Sequence, residues 1–187
     1  MFVGVVAFHG DFAEHIALLR SMKQRVIEVR SVKELAEVDH LIIPGGESTV
    51  ISRFLESTGV GKEIQRRVKD ESLAVYGTCA GAILLAHKVT GKHAPKTLRL
   101  MDITVERNAY GTQMQSFSAE LRITGVRENV PVAFIRAPII TNVGKGIEML
   151  AKHDGNPVLV RCGRVLAGTF HPEVRDQTVI HKLFLTM

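Results

Sequence analysis

Cys79 stands in the pentad Gly77-Thr78-Cys79-Ala80-Gly81, which follows the apolar run Leu73-Ala74-Val75-Tyr76 and opens the stretch Ala82-Ile83-Leu84-Leu85-Ala86. A strand that turns sharply into a helix presents a reactive side chain on strained backbone, and it needs small residues two before and two after the nucleophile. Both are glycine here. The helix start also aims free N–H groups at the sulfur, which favours thiolate over thiol. The competing reading is a buried cysteine at a tight strand-helix contact, its glycines serving only close approach. Cys162, between Arg161 and Gly163 in an expected hairpin turn, lacks this setting and reads as structural.

A cysteine nucleophile needs a base and a group that orients the base. Gly168-Thr169-Phe170-His171-Pro172-Glu173 ends an apolar run with a histidine and a carboxylate two residues apart. In extended backbone that spacing puts both side chains on one face, and Pro172 favours an extended His171. Glu173 then fixes the tautomer of His171, and His171 takes the proton of Cys79. Taken alone, His-Pro-Glu at a strand end reads more readily as a turn; the elbow cysteine upstream shifts the reading to a triad. The other histidines, His9, His15, His40, His87, His93, His153 and His181, show no metal-site spacing, and no metal is expected.

A tetrahedral intermediate also needs donors for its oxygen. Leu41-Ile42-Ile43-Pro44-Gly45-Gly46-Glu47-Ser48-Thr49 runs from a strand through a glycine turn into a helix start, a loop type that leaves backbone N–H groups unpaired. The N–H groups of Gly46 and Ala80 are the expected oxyanion donors. Phosphate binding is the rival use of such a turn, but the spacing fits neither a P-loop nor a dinucleotide fingerprint.

These residues must be carried by a scaffold. Phe2 to Phe8, Arg25 to Val29, Leu41 to Ile43 and Leu73 to Tyr76 read as buried strands, alternating with helices over Asp11 to Met22, Thr49 to Leu55 and Val60 to Val68. Such alternation implies right-handed crossovers and a largely parallel sheet. The second half brings strands in closer succession: Asp102 to Glu106, Ser118 to Ile123, Val132 to Ile135, Pro157 to Arg161 and Val165 to Phe170. Some pairing there is expected to be antiparallel, with turns at Asn156-Pro157 and Cys162-Gly163-Arg164 and a closing helix from Thr178 to Met187.

At 187 residues, with no repeat or linker, the chain reads as one domain over 1–187. Hydrophobic and charged shares of 45% and 23% are those of a globular fold. Two cysteines in unlike surroundings point to a reducing, cytoplasmic compartment. No run approaches the roughly 18 apolar residues of a membrane span, and the apolar start lacks a basic leader. The charge of +5 is spread among acids without an aromatic-laced stripe, which disfavours a nucleic-acid partner.

Pro44-Gly45-Gly46-Glu47-Ser48-Thr49, Tyr76-Gly77-Thr78-Cys79-Ala80-Gly81 and Phe170-His171-Pro172-Glu173 together resemble the class I glutamine amidotransferases. Gly10-Asp11-Phe12-Ala13-Glu14-His15, Arg107-Asn108-Ala109-Tyr110-Gly111, Ser116-Phe117 and Phe134-Ile135-Arg136-Ala137-Pro138 narrow the resemblance to the glutaminase subunits of pyridoxal 5'-phosphate synthase. The resemblance implies a three-layer, flavodoxin-like α/β fold with helices on both faces of a mostly parallel sheet. It implies hydrolysis of L-glutamine to glutamate and ammonia by Cys79, His171 and Glu173 without a cofactor, and glutamine contacts from Gly46, Glu47, Ser48, Arg107, Ile135 and Arg136. It further implies a partner, a barrel-fold synthase subunit that takes the ammonia to make pyridoxal 5'-phosphate in a large complex and without which the glutaminase is poorly active. Glutamine carries an ammonium and a carboxylate, so a selective pocket needs an acid and a guanidinium placed apart. Glu47 is the candidate for the first, Arg107 and Arg136 for the second, though each also reads as a surface charge. One position departs from the pattern: His9 stands where a glutamine is expected before Gly10-Asp11. The rival readings are the glutaminase subunit of imidazole glycerol phosphate synthase, which the Gly-Asp-Phe-x-Glu-His block disfavours, and a non-catalytic interaction module, which an intact triad disfavours.

Overall fold

The computed structural model describes residues 2–107 and 116–187. Along the chain run β1 (Phe2–Val6), α1 (Phe12–Ser21), β2 (Arg25–Val29), α2 (Val32–Leu35), β3 (His40–Ile43), α3 (Ser48–Ser57), α4 (Val60–Lys69), β4 (Ala74–Thr78), α5 (Ala80–Leu85) and β5 (Ala86–Thr90). There follow β6 (Met101–Glu106), β7 (Phe117–Leu121), β8 (Val130–Phe134), β9 (Ile139–Val143), β10 (Glu148–His153), β11 (Asn156–Cys162), β12 (Val165–Gly168), a 3-10 turn (Glu173–Arg175) and α6 (Val179–Leu185).

Seven strands form the central sheet in the order β10-β11-β12-β4-β3-β1-β2. From β12 to β2 every neighbouring pair is parallel, and β10 and β11 add an antiparallel edge. The order β2-β1-β3-β4-β12 is that of a flavodoxin-like, doubly wound sheet. Both faces are covered, so successive residues of the central strands are apolar. Leu41 and Ile43 of β3 join one core with Ile51, Leu55, Ile64 and Leu84 of α3 to α5. Ile42 between them joins the other, with Ile16 and Leu19 of α1, Ile180 and Phe184 of α6, and Val132 and Phe134 of β8. Strand β5 pairs with β6 and β9 in a three-stranded sheet, and β7 with β8 in a hairpin. Among the described residues no helix is long and apolar enough to cross a membrane.

The expected elements appear, β2 with the expected ends and the others with shifted ends, and α2, β5, β9 and β10 come in addition. The expected turn at Asn156-Pro157 is instead the start of β11, its residues paired with His153 and Lys152. The turn lies two residues earlier, at Asp154 and Gly155, with φ of 47° and 80°. A tight hairpin of this hand needs positive φ at both central residues, which proline cannot adopt. The second hairpin is as expected: β11 and β12 pair from Cys162↔Val165 across Gly163 and Arg164.

Candidate functional site

Four loops meet at the carboxyl ends of β1, β3, β4 and β12, where ligands of open α/β sheets gather. Cys79 links β4 to α5 with φ 46° and ψ −101°, a strained conformation for a non-glycine residue that costs about 1–3 kcal/mol. The flanking glycines make it possible. A Cβ on Gly77 would lie 2.5 Å from the carbonyl carbon of Gly81, and one on Gly81 would run into the carbonyl oxygen of Ile43 on β3. The Cys79 N–H is committed to Gly168 O of β12 at 2.8 Å. The next amide, that of Ala80, begins α5, where N–H groups have no partner within the helix. The thiol faces the carbonyl of Ile135 at 3.8 Å.

His171 is held by its own backbone, whose N–H donates to Ala133 O of β8 at 2.7 Å. Its Nδ1–H donates to Glu173 Oε1 at 2.7 Å, a tautomer assigned from the carboxylate it faces. Both side chains are buried. The pairing does not arise from extended backbone as the spacing suggested. Pro172 has φ −71° and ψ −30° and starts the 3-10 turn. The chain curls so that Glu173 comes back beneath the ring. Pro172 cannot donate a ladder hydrogen bond, so pairing stops after His171 and the chain turns. Burial alone would disfavour a charged ring. Hydrogen bonds to Cys79 and Glu173, and the charges of both, outweigh burial and raise the His171 pKa from 6.5 to about 10. Burial raises the pKa of Glu173 against the opposing pull of His171.

The glycine turn after β3 packs on this histidine. A Cβ on Gly45 would sit 3.1 Å from His171 Nδ1, closer still to Cε1, and 2.7 Å from Asp11 Oδ2. Gly10, with φ of 90°, abuts the Gly45 carbonyl so closely that no Cβ fits. That carbonyl accepts the Asp11 N–H at 3.3 Å. Gly46 has φ of 135°, open to glycine but strained for other residues. His9, the departure from the expected glutamine, lies across this turn, and its Nδ1 accepts the Glu47 N–H at 3.4 Å.

These loops enclose a cavity of about 380 Å³ lined by Gly46, Glu47, Ser48, Cys79, Ala80, Arg107, Ile135, Arg136 and His171, so it brings together every expected site residue except the buried Glu173. Ile83 and Pro138 supply an apolar wall. Glu47 Oε1 accepts from the Thr49 N–H at 3.3 Å and hydroxyl at 3.0 Å, and from Arg107 Nη2 at 3.2 Å. Desolvation works to raise the Glu47 pKa; the Thr49 bonds and the charges of Arg107 and Arg136 prevail and lower it. Glu47 and Arg107 therefore form an ion pair rather than standing apart, and Arg107 Nη1 also donates to His93 O at 2.6 Å. Arg136, with φ of 46°, is a second cation on the wall. Of the block that begins at Arg107, Asn108-Ala109-Tyr110-Gly111 lies outside the described residues.

Sequence reasoning placed Gly45 in the oxyanion turn and Asp11 at the start of a helix, but gave neither a contact with His171. Asp11 sits at the N-cap of α1 yet makes no capping bond, and its Oδ2 is 3.4 Å from His171 Nδ1. Asp11, His171 and Glu173 offer ligand atoms within 4.8 Å of one another, the one grouping among the described residues that could hold a metal. His171 Nδ1, however, is engaged by Glu173 at hydrogen-bond distance. The arrangement of thiol, imidazole, carboxylate and loop amides is suited to acyl transfer through a thioester.

Residues 5–187 match the SNO glutamine amidotransferase family. The pyridoxal 5'-phosphate synthase subunit PdxT of Chloroflexus aggregans is 48% identical over 191 residues, covering 100% of both chains. That of Thermus thermophilus is 44% identical over 185 residues, covering 99% of this chain and 96% of its own. A crystal structure of a glutamine amidotransferase superimposes with a TM-score of 0.92 at 41% identity, covering 98% of this chain and 97% of that one. With a match spanning almost its whole length and relatives this similar from end to end, the chain belongs to the SNO glutamine amidotransferase family.

Proposed function

We propose that this chain, as one cytoplasmic domain, is the glutaminase subunit of a pyridoxal 5'-phosphate synthase, hydrolysing L-glutamine and passing the ammonia to a synthase subunit. The reading is carried by one observation. A strained cysteine at a helix start shares a cavity with an imidazole raised to about 10 by its bonds to that thiol and to Glu173.

The thiolate of Cys79 attacks the side-chain amide carbon of glutamine, and the carbonyl oxygen, now negative, takes the N–H groups of Gly46 and Ala80. His171, protonated by the thiol, gives that proton to the departing nitrogen. The C–N bond breaks, ammonia leaves and a thioester remains. Water, deprotonated by His171, then attacks the thioester to yield glutamate and restore the thiol. Glu173 keeps Nδ1–H of His171 directed away from the sulfur and stabilises the imidazolium. Glu47, Ser48, Arg107, Ile135 and Arg136 hold the amino-acid end of the substrate. The chemistry uses protein groups throughout and needs no cofactor.

Mixing the chain with synthase subunits and measuring ammonia from glutamine tests the reading. Expected are glutamine-dependent release that rises with synthase and loss of release in Cys79→Ala. A glutamine-mimicking affinity label should modify Cys79 and no other residue. Ammonia release that persists in Cys79→Ala overturns the proposal.

A further inference from the structure

On the side of Glu173 away from the cavity lies a polar cluster that the reaction above does not use. His15 on α1, Thr78 on β4 and His181 on α6 are each fully buried. His15 Nδ1 lies 3.0 Å from His181 Nε2, and His15 Nε2 lies 3.1 Å from Thr78 Oγ1. The same Nε2 is 3.5 Å from Glu173 Oε2. Glu173 spends Oε1 on His171 and keeps Oε2 buried without a hydrogen bond of ordinary length among the described residues. A buried carboxylate oxygen lacking a donor carries a full desolvation cost. The His15 Nε2–H, 3.1 Å from Thr78 Oγ1, stands 3.5 Å from that oxygen and is directed at it as well.

Protonation at Nε2 makes Nδ1 of His15 the acceptor for the Nε2–H of His181, so one chain of tautomers links His181, His15 and Thr78. Burial, with His181 and His171 nearby, keeps His15 neutral. Its 3.5 Å contact with Glu173 is therefore that of a neutral ring and not an ion pair, and it leaves the carboxylate's charge for His171.

We propose that His15 is a positioning residue that steadies the outer oxygen of Glu173, so that the inner oxygen stays on Nδ1 of His171; the proposal rests on the triad reading above. A carboxylate gripped at one oxygen can still swing about its side-chain torsions. Gripped at both, it is aimed. Three elements distant in sequence contribute the grip: α1 supplies His15, β4 supplies Thr78 and α6 supplies His181.

The test uses the assembled glutaminase–synthase complex and compares wild type with His15→Asn, His15→Gln and Glu173→Gln. Asn keeps a polar atom for His181 but falls short of Glu173, whereas the amide N–H of Gln extends to where Nε2 stood. Glutaminase kcat and KM are measured, together with the pH profile of Cys79 alkylation by a glutamine-mimicking chloroketone. Titratable groups facing the cluster are His171, Asp11, Tyr76, Cys79 and His181, and Glu173→Gln calibrates their response when the carboxylate charge is gone. His15→Asn should lower kcat about tenfold, the scale of one hydrogen bond to a charged group, with KM little changed. Its acid limb should move to higher pH, because a misdirected Glu173 supports the imidazolium less. His15→Gln should restore most of both.

A wild-type profile and kcat in His15→Asn, alongside a shift in Glu173→Gln, overturns the role of His15 and leaves the triad standing. No shift in either variant overturns the triad reading itself. Should His15→Asn fail to fold, 15N spectra of wild-type histidines decide: an Nε2–H tautomer at His15 supports the proposal, and an Nδ1–H tautomer, which turns a lone pair toward Glu173, overturns it.

Discussion

Gly45→Ala tests the placement of the base without touching a reacting group. The backbone there is not in the left-handed region, so the effect is one of space alone. The added carbon would stand 3.1 Å from His171 Nδ1, closer to Cε1, and 2.7 Å from Asp11 Oδ2. Asp11 is partly exposed and can swing away, but His171 is only 4% exposed and is bonded to Glu173 beneath it. To restore ordinary contact the ring must retreat by roughly 1 Å, and a misplacement of that size costs on the order of a hundredfold in rate. The added methyl lies over a cavity wall rather than in either core, so unfolding should be little affected. The assay is steady-state ammonia release with saturating synthase, with a melting curve to show that the variant is folded. We expect kcat to fall about a hundredfold with KM changed far less. A folded Gly45→Ala with kcat within about threefold of wild type refutes the tight seat of His171 against this glycine.

Cys79→Ala should abolish ammonia release while preserving folding and partner binding; His171→Asn should be nearly as damaging and Glu173→Gln less so, an order that equal losses in all three would contradict. Arg107→Ala and Arg136→Ala should each raise KM for glutamine by the worth of a charge-assisted contact, about 1.5–3 kcal/mol; an unchanged KM in both removes the carboxylate clamp. Because the His171 pKa is raised from 6.5 to about 10, its contribution to stability is full below pH 6.5 and is lost as the pH climbs through 10. The melting-temperature gap between wild type and His171→Asn should therefore narrow over that range, and a constant gap refutes the shift. Glutaminase rate should rise with synthase concentration, and rise less in His9→Ala, which loses the acceptor of the Glu47 N–H; a flat wild-type titration with complex formation confirmed, or an equal rise in both, refutes this.

The legible part of the site was the part encoded locally. Gly77-Thr78-Cys79-Ala80-Gly81 states its own turn in part: the crowding that demands glycine at 77 is local, against Gly81 and Ala82, whereas that at 81 comes from the Ile43 carbonyl on β3. His171 and Glu173 were legible as partners, but through the wrong backbone: spacing of two serves an extended strand and a tight turn alike, and Pro172 permits both. Asp11, Gly45 and His15 acquire their meaning only when β1, β3 and β12 stand near one another in the sheet, and no short window records that. The same holds for Glu47 and Arg107, whose ion pair joins residues 60 apart. Among the elements, β2 and the β11-β12 hairpin were plain from apolar runs and turn residues. Strand β10 was hidden by its mixed Glu148-Met149-Leu150-Ala151-Lys152-His153 sequence, as befits an edge whose hydrogen bonds, more than its side chains, define it.

The bond from the Cys79 amide to Gly168 sets an order of events in the making of the enzyme. Strand β12 reaches the sheet only after β5 to β11 have been synthesised, yet it seats the elbow and leads directly to the base. A growing polypeptide that has delivered Cys79 holds a cysteine with neither its neighbouring strand nor its imidazole, and long-range pairings of this kind close late. Its thiol then has the ordinary reactivity of an unassisted cysteine. On the mechanism proposed above, reactivity at residue 79 reports completion: it should switch on only when the last strand docks, and chains clipped before residue 168 should be silent toward glutamine.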